Sequence, residues 1–177
     1  MPGIITLLDK EYTAKVRAIQ DVMAVELGVR RSYPGDEPHF TYHLAESYDV
    51  AAAVRIVERI AAETQPFSVA TSGFGVFTGD QPTLYIPVAR CAPLAKLHQR
   101  ICAQMEAAGQ PNIAYYTPDR LLPHITFAQE NAPPAVLLGL LSWLARQDFS
   151  WEVPVTNLAV AEQTPSGVHL FGRWELG

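Results

Sequence analysis

Two histidine–threonine pairs recur in this sequence with the same spacing and similar neighbours. His39 and Thr41 form the first pair, and His124 and Thr126 form the second. Each pair follows a proline, encloses an apolar residue and precedes an aromatic one. Histidine suits acid–base chemistry because its ordinary pKa, about 6.5, lies near neutrality. Two imidazoles beside one phosphodiester could remove a proton from the attacking oxygen and give one to the leaving oxygen, while threonine hydroxyls donate hydrogen bonds to the phosphate.

The interval between the two motifs is repeated elsewhere in the chain. The histidines are 85 residues apart, close to half of the 177 residues, and Phe67-Ser68 recurs as Phe149-Ser150 at a similar distance. Residues 83–86 and 168–171 form a further pair of similar strand-like segments, again 85 apart. Offsets near half the chain length indicate two copies of one supersecondary unit.

Apolar periodicity and turn residues predict the same order of elements in each copy: helix, strand, helix, strand, strand. The first copy comprises a helix over 9–27, a strand over 39–44, a helix starting at Asp49, and strands over 67–77 and 83–89. The second comprises a helix over 93–108, a strand at 124–127, a helix opened by Pro133 and Pro134, and strands over 149–160 and 168–174. Residues 4–8 add one more strand. We therefore expect a single α+β domain of two lobes, about 1–90 and 91–177, related by a pseudo-two-fold axis. Each lobe would have a mainly antiparallel sheet covered by outer helices, with the active-site groove between the lobes.

Strand geometry sends alternate side chains to opposite faces. The set expected to face the groove is His39, Thr41, His43, His124 and Thr126. The set expected to pack under the helices is Phe40, Tyr42, Leu44, Ile125 and Phe127. A pseudo-two-fold arrangement would thus bring two imidazoles and two hydroxyls around one small volume.

The two motifs, together with the segment 116–127 that leads through the second, resemble the two-histidine phosphoesterase superfamily, in particular its 2′-5′ RNA ligase and cyclic phosphodiesterase branch. The resemblance covers nearly the whole chain. It implies a bilobal α+β fold and a site in the groove. It also implies that His39 and His124 are the acid–base pair and that Thr41 and Thr126 bind phosphate. Because two imidazoles can handle both protons, we expect no metal or cofactor. The implied reaction is hydrolysis of a 2′,3′- or 1″,2″-cyclic phosphate, or reversible 2′-5′ joining of RNA ends. Which histidine is the base is not implied.

The segment after the second motif, residues 127–130, contains no arginine or lysine. A cation that assists phosphate binding must therefore come from elsewhere in the chain. The candidates for substrate binding are His43, Arg120, Tyr115, Tyr116, Tyr42 and Phe127, with Arg31 and Tyr33 before the first motif. Each has a structural alternative: a strand end in solvent for His43, a solvated loop position for Arg120, and loop anchoring for the tyrosines. His98, on a polar helix face, is expected in solvent.

Composition limits the classes of partner. A net charge of −5 argues against backbone-driven binding of long nucleic acid, so we expect a nucleotide or an RNA terminus carrying a cyclic phosphate. No signal peptide or membrane span is indicated. Cys91 and Cys102, on one helix, would lie about 16 Å apart, too far for a disulfide. These features predict a reducing, cytoplasmic setting, and we expect a monomer.

Two other functions fit the same residues. An inactive relative could hold a nucleotide or phosphate in the groove without turning it over. A metal-dependent hydrolase could instead use His39, His43 and His124 as zinc ligands, although no cysteine or carboxylate lies at ligand-like spacing.

Overall fold

A computed structural model describes residues 1–29, 37–80, 82–128, 134–164 and 167–177. Arg31 and Tyr33 lie outside these ranges. The described elements are, in chain order, β1 (Pro2–Leu7), α1 (Lys10–Leu27), β2 (His39–Leu44), α2 (Val50–Ala62), β3 (Phe67–Ala70), β4 (Gly75–Phe77), β5 (Thr83–Pro87), α3 (Ala92–Ala107), a 3-10 turn (Ala114–Tyr116), β6 (His124–Ala128), α4 (Pro134–Leu144), β7 (Glu152–Val155), β8 (Asn157–Thr164) and β9 (Gly167–Glu175). The predicted α+β class is confirmed.

Aspartates begin the first two helices. The Asp9 carboxylate accepts a hydrogen bond from the Tyr12 amide at 2.9 Å, and that of Asp49 accepts one from Ala52 at 3.0 Å. Such caps satisfy amides that have no partner within the helix. The predicted helix start at Asp49 is therefore confirmed. Cys91 stands at the N-cap position just before α3 and makes no side-chain hydrogen bond to the helix, and both cysteines are free.

Seven of the described strands form the main sheet, all antiparallel to their neighbours, in the order β4-β5-β6-β2-β1-β8-β9. Here the structure differs from the expectation of one sheet per half. Strands β4 and β5 of the first half pair beside β6 of the second, and β8 and β9 of the second half extend the sheet from β1. A repeat in the sequence specifies which segments become strands. It does not specify whether the outer strands of each half pair with the central strand of their own half or with that of the other half.

Two predicted long strands are each divided. The segment 67–77 turns at Gly73, whose φ of 64° is in the left-handed region that favours glycine. Its first part, β3, pairs with β7 in a separate two-stranded sheet, while β4 joins the main sheet. The segment 149–160 likewise divides into β7 and β8.

The two central strands carry matching β-bulges. One step along β1, from Ile4 to Ile5, spans two steps along β2, which leaves Tyr42 as the extra residue. One step along β5 likewise spans two along β6, which leaves Phe127 as the extra residue. A bulge interrupts alternation and redirects the side chains that follow it. The expectation that His43 faces the groove is therefore wrong: His43 is buried, and Leu44 borders the cavity instead.

The helices cover one face of the main sheet. Helix α1 packs against β6 and α4, α3 packs against β2 and α2, and α2 packs against β8 and β9. Phe40, Tyr42, Ile125 and Phe127 are buried in this core, as alternation predicts. Within the described ranges, no helix has the length and apolarity needed to cross a membrane.

Candidate active site

The two histidine–threonine pairs meet in one cavity. His39, Thr41, His124 and Thr126 all line a space of about 830 Å³ on the sheet face opposite the helices. Strands β2 and β6 pair antiparallel with Phe40 opposite Ile125. Because this residue pair lies between the histidine and the threonine of each motif, His39 lies across from Thr126 and Thr41 across from His124.

The two imidazoles are held in the same way. Nδ1 of His39 donates a hydrogen bond to the Glu37 carbonyl at 2.7 Å, and Nδ1 of His124 donates one to the Leu122 carbonyl at 2.7 Å. In both motifs the acceptor lies two residues before the histidine, with a proline between them. A carbonyl can only accept, so Nδ1 carries the proton and Nε2 of the neutral ring is unprotonated. In the neutral form each ring therefore has an unprotonated Nε2, which can accept a proton.

The surroundings of the two rings differ. His124 packs against Phe77 and Tyr85, with ring centroids 4.9 and 5.4 Å away. Burial lowers the pKa of His124, the Leu122 carbonyl raises it, and the charge of His39 lowers it. Beside His39, the neighbouring strand instead presents an aliphatic residue, because Leu7 of β1 is its partner.

A glycine makes the aromatic wall beside His124 possible. The Tyr85 ring lies over Gly75, where an added Cβ would stand 2.3 Å from the ring. Tyr85 can therefore stack on Phe77 at 4.1 Å. The glycine-containing segment at 73–75 thus allows close side-chain approach and a turn.

The cavity has two different ends, because β2 and β6 run in opposite directions. Residues before His39 and after Thr126 lie at one end, which we call the Arg17 end: Arg17, Gln20 and Glu37. Residues before His124 lie at the other, which we call the Arg120 end: Tyr115, Tyr116, Arg120 and Leu122. All seven line the cavity.

Arg17 and Gln20 were not found from the sequence. They are three residues apart on α1, so they share one helical face. The Gln20 side-chain amide donates to the Phe127 carbonyl at 3.2 Å, which ties α1 to the end of β6. Arg17, on the same face of α1, thus lies near the end of β6, where Phe127 and Ala128 supply no cation. Nothing in the sequence of α1 indicates this placement, because the polar face of a helix is ordinarily solvated.

Three of the proposed substrate-binding residues border the Arg120 end. Tyr115 is 76% exposed, and the Arg120 guanidinium lies 6.0 Å from its ring centroid. Tyr116 also lines the cavity, and its carbonyl accepts a hydrogen bond from Nε2 of His98 at 2.9 Å. His98 is only 1% exposed, contrary to its expected place in solvent. Because α3 packs against β2, His98 reaches the Tyr116 carbonyl from the core and anchors the loop that contains Tyr115 and Tyr116.

Three other candidates have their rings in the core, contrary to the prediction that they bind substrate. The Tyr42 hydroxyl is hydrogen-bonded to Thr6 at 2.9 Å, and Tyr42 is fully buried outside the cavity. The Phe127 ring stacks on Phe149 at 6.3 Å and is 2% exposed, although Phe127 borders the cavity wall. His43 is hydrogen-bonded through Nδ1 to the Tyr48 hydroxyl at 2.5 Å. Strand alternation directs Tyr42 and Phe127 toward the core, and the bulge in β2 turns His43 to the same side.

His43 does not join the other two histidines in a common ligand set. It is buried, and burial lowers its pKa to about 4. Among the described residues, no three histidine, cysteine or acidic side chains are grouped as metal ligands. The alternative zinc site of His39, His43 and His124 is therefore not assembled.

The sequence also matches known proteins. Residues 11–166 match the family model described as the 2′-5′ RNA ligase superfamily. A protein of Geobacillus kaustophilus (strain HTA426) named "Putative phosphoesterase GK0864" is 26% identical over 133 residues, which cover 73% of this chain and 72% of that protein.

Solved structures share the fold. The crystal structure of TT0787 of Thermus thermophilus superposes with a TM-score of 0.71 at 22% identity, covering 99% of this chain and 97% of that one. E. coli LigT complexed with NADP+ gives 0.64 at 17% identity, covering 99% and 96%. The chain belongs to the 2′-5′ RNA ligase superfamily, whose members are two-histidine phosphoesterases.

Proposed function

We propose that this protein is a metal-independent phosphodiesterase that opens cyclic phosphates, with reversible 2′-5′ joining of RNA ends as the related reaction. The substrates are a 2′,3′-cyclic nucleotide or RNA end, or a 1″,2″-cyclic phosphate. The observation that carries the proposal is the matched pair of imidazoles. Both have Nδ1 engaged with a backbone carbonyl, and both line one cavity with a threonine across from each.

In hydrolysis, one Nε2 takes a proton from water as its oxygen attacks phosphorus. The other imidazole, protonated, gives its proton to the ribose oxygen that leaves as the ring P–O bond breaks. The product is a phosphate monoester beside a free hydroxyl. Thr41 and Thr126 donate hydrogen bonds to the non-bridging oxygens, where negative charge is greatest. Ligation replaces the water by a 5′-hydroxyl of RNA.

The test uses adenosine 2′,3′-cyclic phosphate with and without EDTA. We expect turnover that survives chelation, and a loss of about 10²- to 10⁴-fold in kcat for His39→Ala and for His124→Ala. The matched control is His169→Ala, since His169 is exposed on β9 and does not line the cavity. Complete loss of turnover with EDTA, or wild-type turnover in either cavity variant, would contradict the mechanism.

The second candidate is a nucleotide-binding module without turnover. The observation that favours it is the size of the cavity, which at about 830 Å³ lies in the range of small-molecule sites. E. coli LigT has been crystallised with NADP+, ATP and 3′-AMP, so nucleotide binding by itself does not separate the two functions. Binding of 3′-AMP by calorimetry, without hydrolysis of any cyclic phosphate, would favour the binding module.

A further inference from the structure

The Arg17 end of the cavity carries a charge that the reaction at the two histidines does not use. Among the described residues that line the cavity, the arginines are Arg17 and Arg120, and the carboxylate is Glu37. The two arginines lie at opposite ends of the β2–β6 pair. The reacting phosphate, held by histidine and threonine between them, leaves both arginines available for other parts of a substrate.

Arg17 stands behind the His39 ring with respect to the reacting phosphate. The Glu37 carbonyl holds Nδ1 of His39, so Glu37 is on the side of the ring away from Nε2. The Glu37 carboxylate in turn holds Arg17, with Nη2 and Oε1 3.1 Å apart. The guanidinium therefore marks a position beyond His39, at the rim of the cavity.

The Arg17–Glu37 ion pair can be exchanged for a pair with a ligand. The two side chains are 40% and 49% exposed, and ion pairs between exposed groups contribute little to stability. Glu37 holds the guanidinium through Oε1, whereas a phosphate group can bind it through two oxygens, and a phosphate monoester also carries more charge than a carboxylate. Gln20, fixed to the Phe127 carbonyl, keeps this face of α1 against the cavity.

The Arg120 end suits the nucleoside instead. Leu122 occupies the place before His124 that Glu37 occupies before His39, and it is an apolar side chain 47% exposed. Tyr115 offers an exposed ring at the same end. Aromatic faces of this kind stack on nucleobases of any sequence.

We propose that Arg17 binds a second phosphate group of the substrate, one that does not react. The preferred substrates are then cyclic phosphates that carry an additional phosphate, such as a 5′-phosphorylated nucleotide or an oligonucleotide end, over nucleosides with the cyclic phosphate alone. This inference rests on the proposed function and specifies its substrate class.

The experiment compares kcat/KM for adenosine 2′,3′-cyclic phosphate with that for its 5′-phosphorylated form. Wild-type protein should prefer the 5′-phosphorylated substrate by about ten- to hundredfold, as expected for hydrogen bonds to a charged group. Arg17→Gln should abolish the preference. Glu37→Gln, which keeps the backbone carbonyl and removes the competing carboxylate, should preserve or increase it. An equal ratio in wild type and Arg17→Gln would overturn the assignment.

Arg120→Gln is the matched control, because it removes the same side chain from the other end of the cavity. It should lower kcat/KM for both substrates by a similar factor. A change of the ratio as large as that in Arg17→Gln would overturn the placement of the second phosphate at Arg17.

A binding arm separates this inference from the proposed function. If neither cyclic substrate is turned over, the proposed function fails while the second-phosphate site can still be measured. Calorimetry would then compare adenosine 3′,5′-bisphosphate with 3′-AMP. Tighter binding of the bisphosphate that Arg17→Gln abolishes supports the inference, and equal affinities for the two ligands overturn it.

Discussion

Strands β2 and β6 carry the same chemistry in different surroundings. Each has a histidine, a threonine two residues later, a bulge directly after the threonine, and a backbone carbonyl that holds Nδ1. Yet His124 packs on aromatic rings, while the residue that holds the His39 ring carries an ion pair with α1. The repeat in the sequence thus supplies the His-Thr pair twice. The two sides differ because the repeated elements join the sheet differently: β5, which carries Tyr85, lies beside β6, whereas β1 lies beside β2.

The largest expected effect tests whether the two strands act as one unit. We expect His39→Ala and His124→Ala each to lower kcat by about 10²- to 10⁴-fold. The kcat of the double variant should be only slightly lower than that of either single variant. Proton removal and proton donation belong to one transition state, so losing one leaves little for the other to assist. A double variant whose loss equals the product of the two single losses would show that β2 and β6 contribute independently.

The next effect concerns stability, and it arises in β2 and not in β6. The buried residue after the bulge is His43 in β2, which can titrate, and Ala128 in β6, which cannot. The pKa of His43 is lowered to about 4 by burial, and an unfolded histidine has a pKa of about 6.5. Below 6.5 the unfolded state therefore binds more protons, so the free energy of unfolding should fall as pH drops from 6.5 to 4, by about 3 kcal/mol at most from this group.

The measurement is urea unfolding between pH 7.5 and pH 4. His43→Asn, which keeps a polar group near the Tyr48 hydroxyl, should be less stable than wild type at pH 7.5 and less dependent on pH. His98, whose pKa burial also lowers, leaves part of the dependence in place. His169→Asn serves as the exposed control. An unchanged slope in His43→Asn would show that His43 is not the group that titrates.

The third prediction compares the two hydroxyls. Thr41→Val and Thr126→Val should each reduce kcat/KM by about ten- to hundredfold, since each removes one hydrogen bond to a charged oxygen without changing the size of the side chain much. Thr41→Ser and Thr126→Ser keep the hydroxyl and should retain most of the activity. If a valine variant matches its serine control, that threonine does not bind phosphate.

The smallest effect concerns the aromatic wall that distinguishes His124 from His39. Phe77→Ala uncovers the ring, so the pKa of His124 should rise toward its ordinary value, because burial is the main cause of its lowering. An NMR titration of the His124 imidazole measures the shift. Tyr115→Ala, at the Arg120 end of the cavity, should leave that pKa where it is. A pKa that does not move in Phe77→Ala would assign the lowering to another source of burial.

Local sequence patterns were sufficient for much of the fold. The aspartate caps at Asp9 and Asp49 and the apolar periodicity of the helices depend on neighbours three or four residues away, so the sequence alone indicates them. The division of residues 67–77 was missed, because a strand pattern does not reveal that β3 leaves the main sheet for β7.

The candidate site divides in the same way. That His39, Thr41, His124 and Thr126 share one face was predictable, because the side chains of a strand alternate locally. The bulge that buries His43 was not, since it depends on the register with β1. Arg17 and Gln20 were also not predictable, because their role depends on α1 packing against β6, more than a hundred residues along the chain.

The sequence by itself determined the reactive groups, their duplication and the elements that carry them, because all of these follow from residue type and short-range spacing. Only the tertiary structure decided how those elements are combined. Exchange of outer strands between the halves, the bulges that redirect side chains and the placing of α1 beside β6 arise from long-range pairing and packing. The two His-Thr pairs are thus a property of the sequence, and the difference between the two ends of their cavity is a property of the fold.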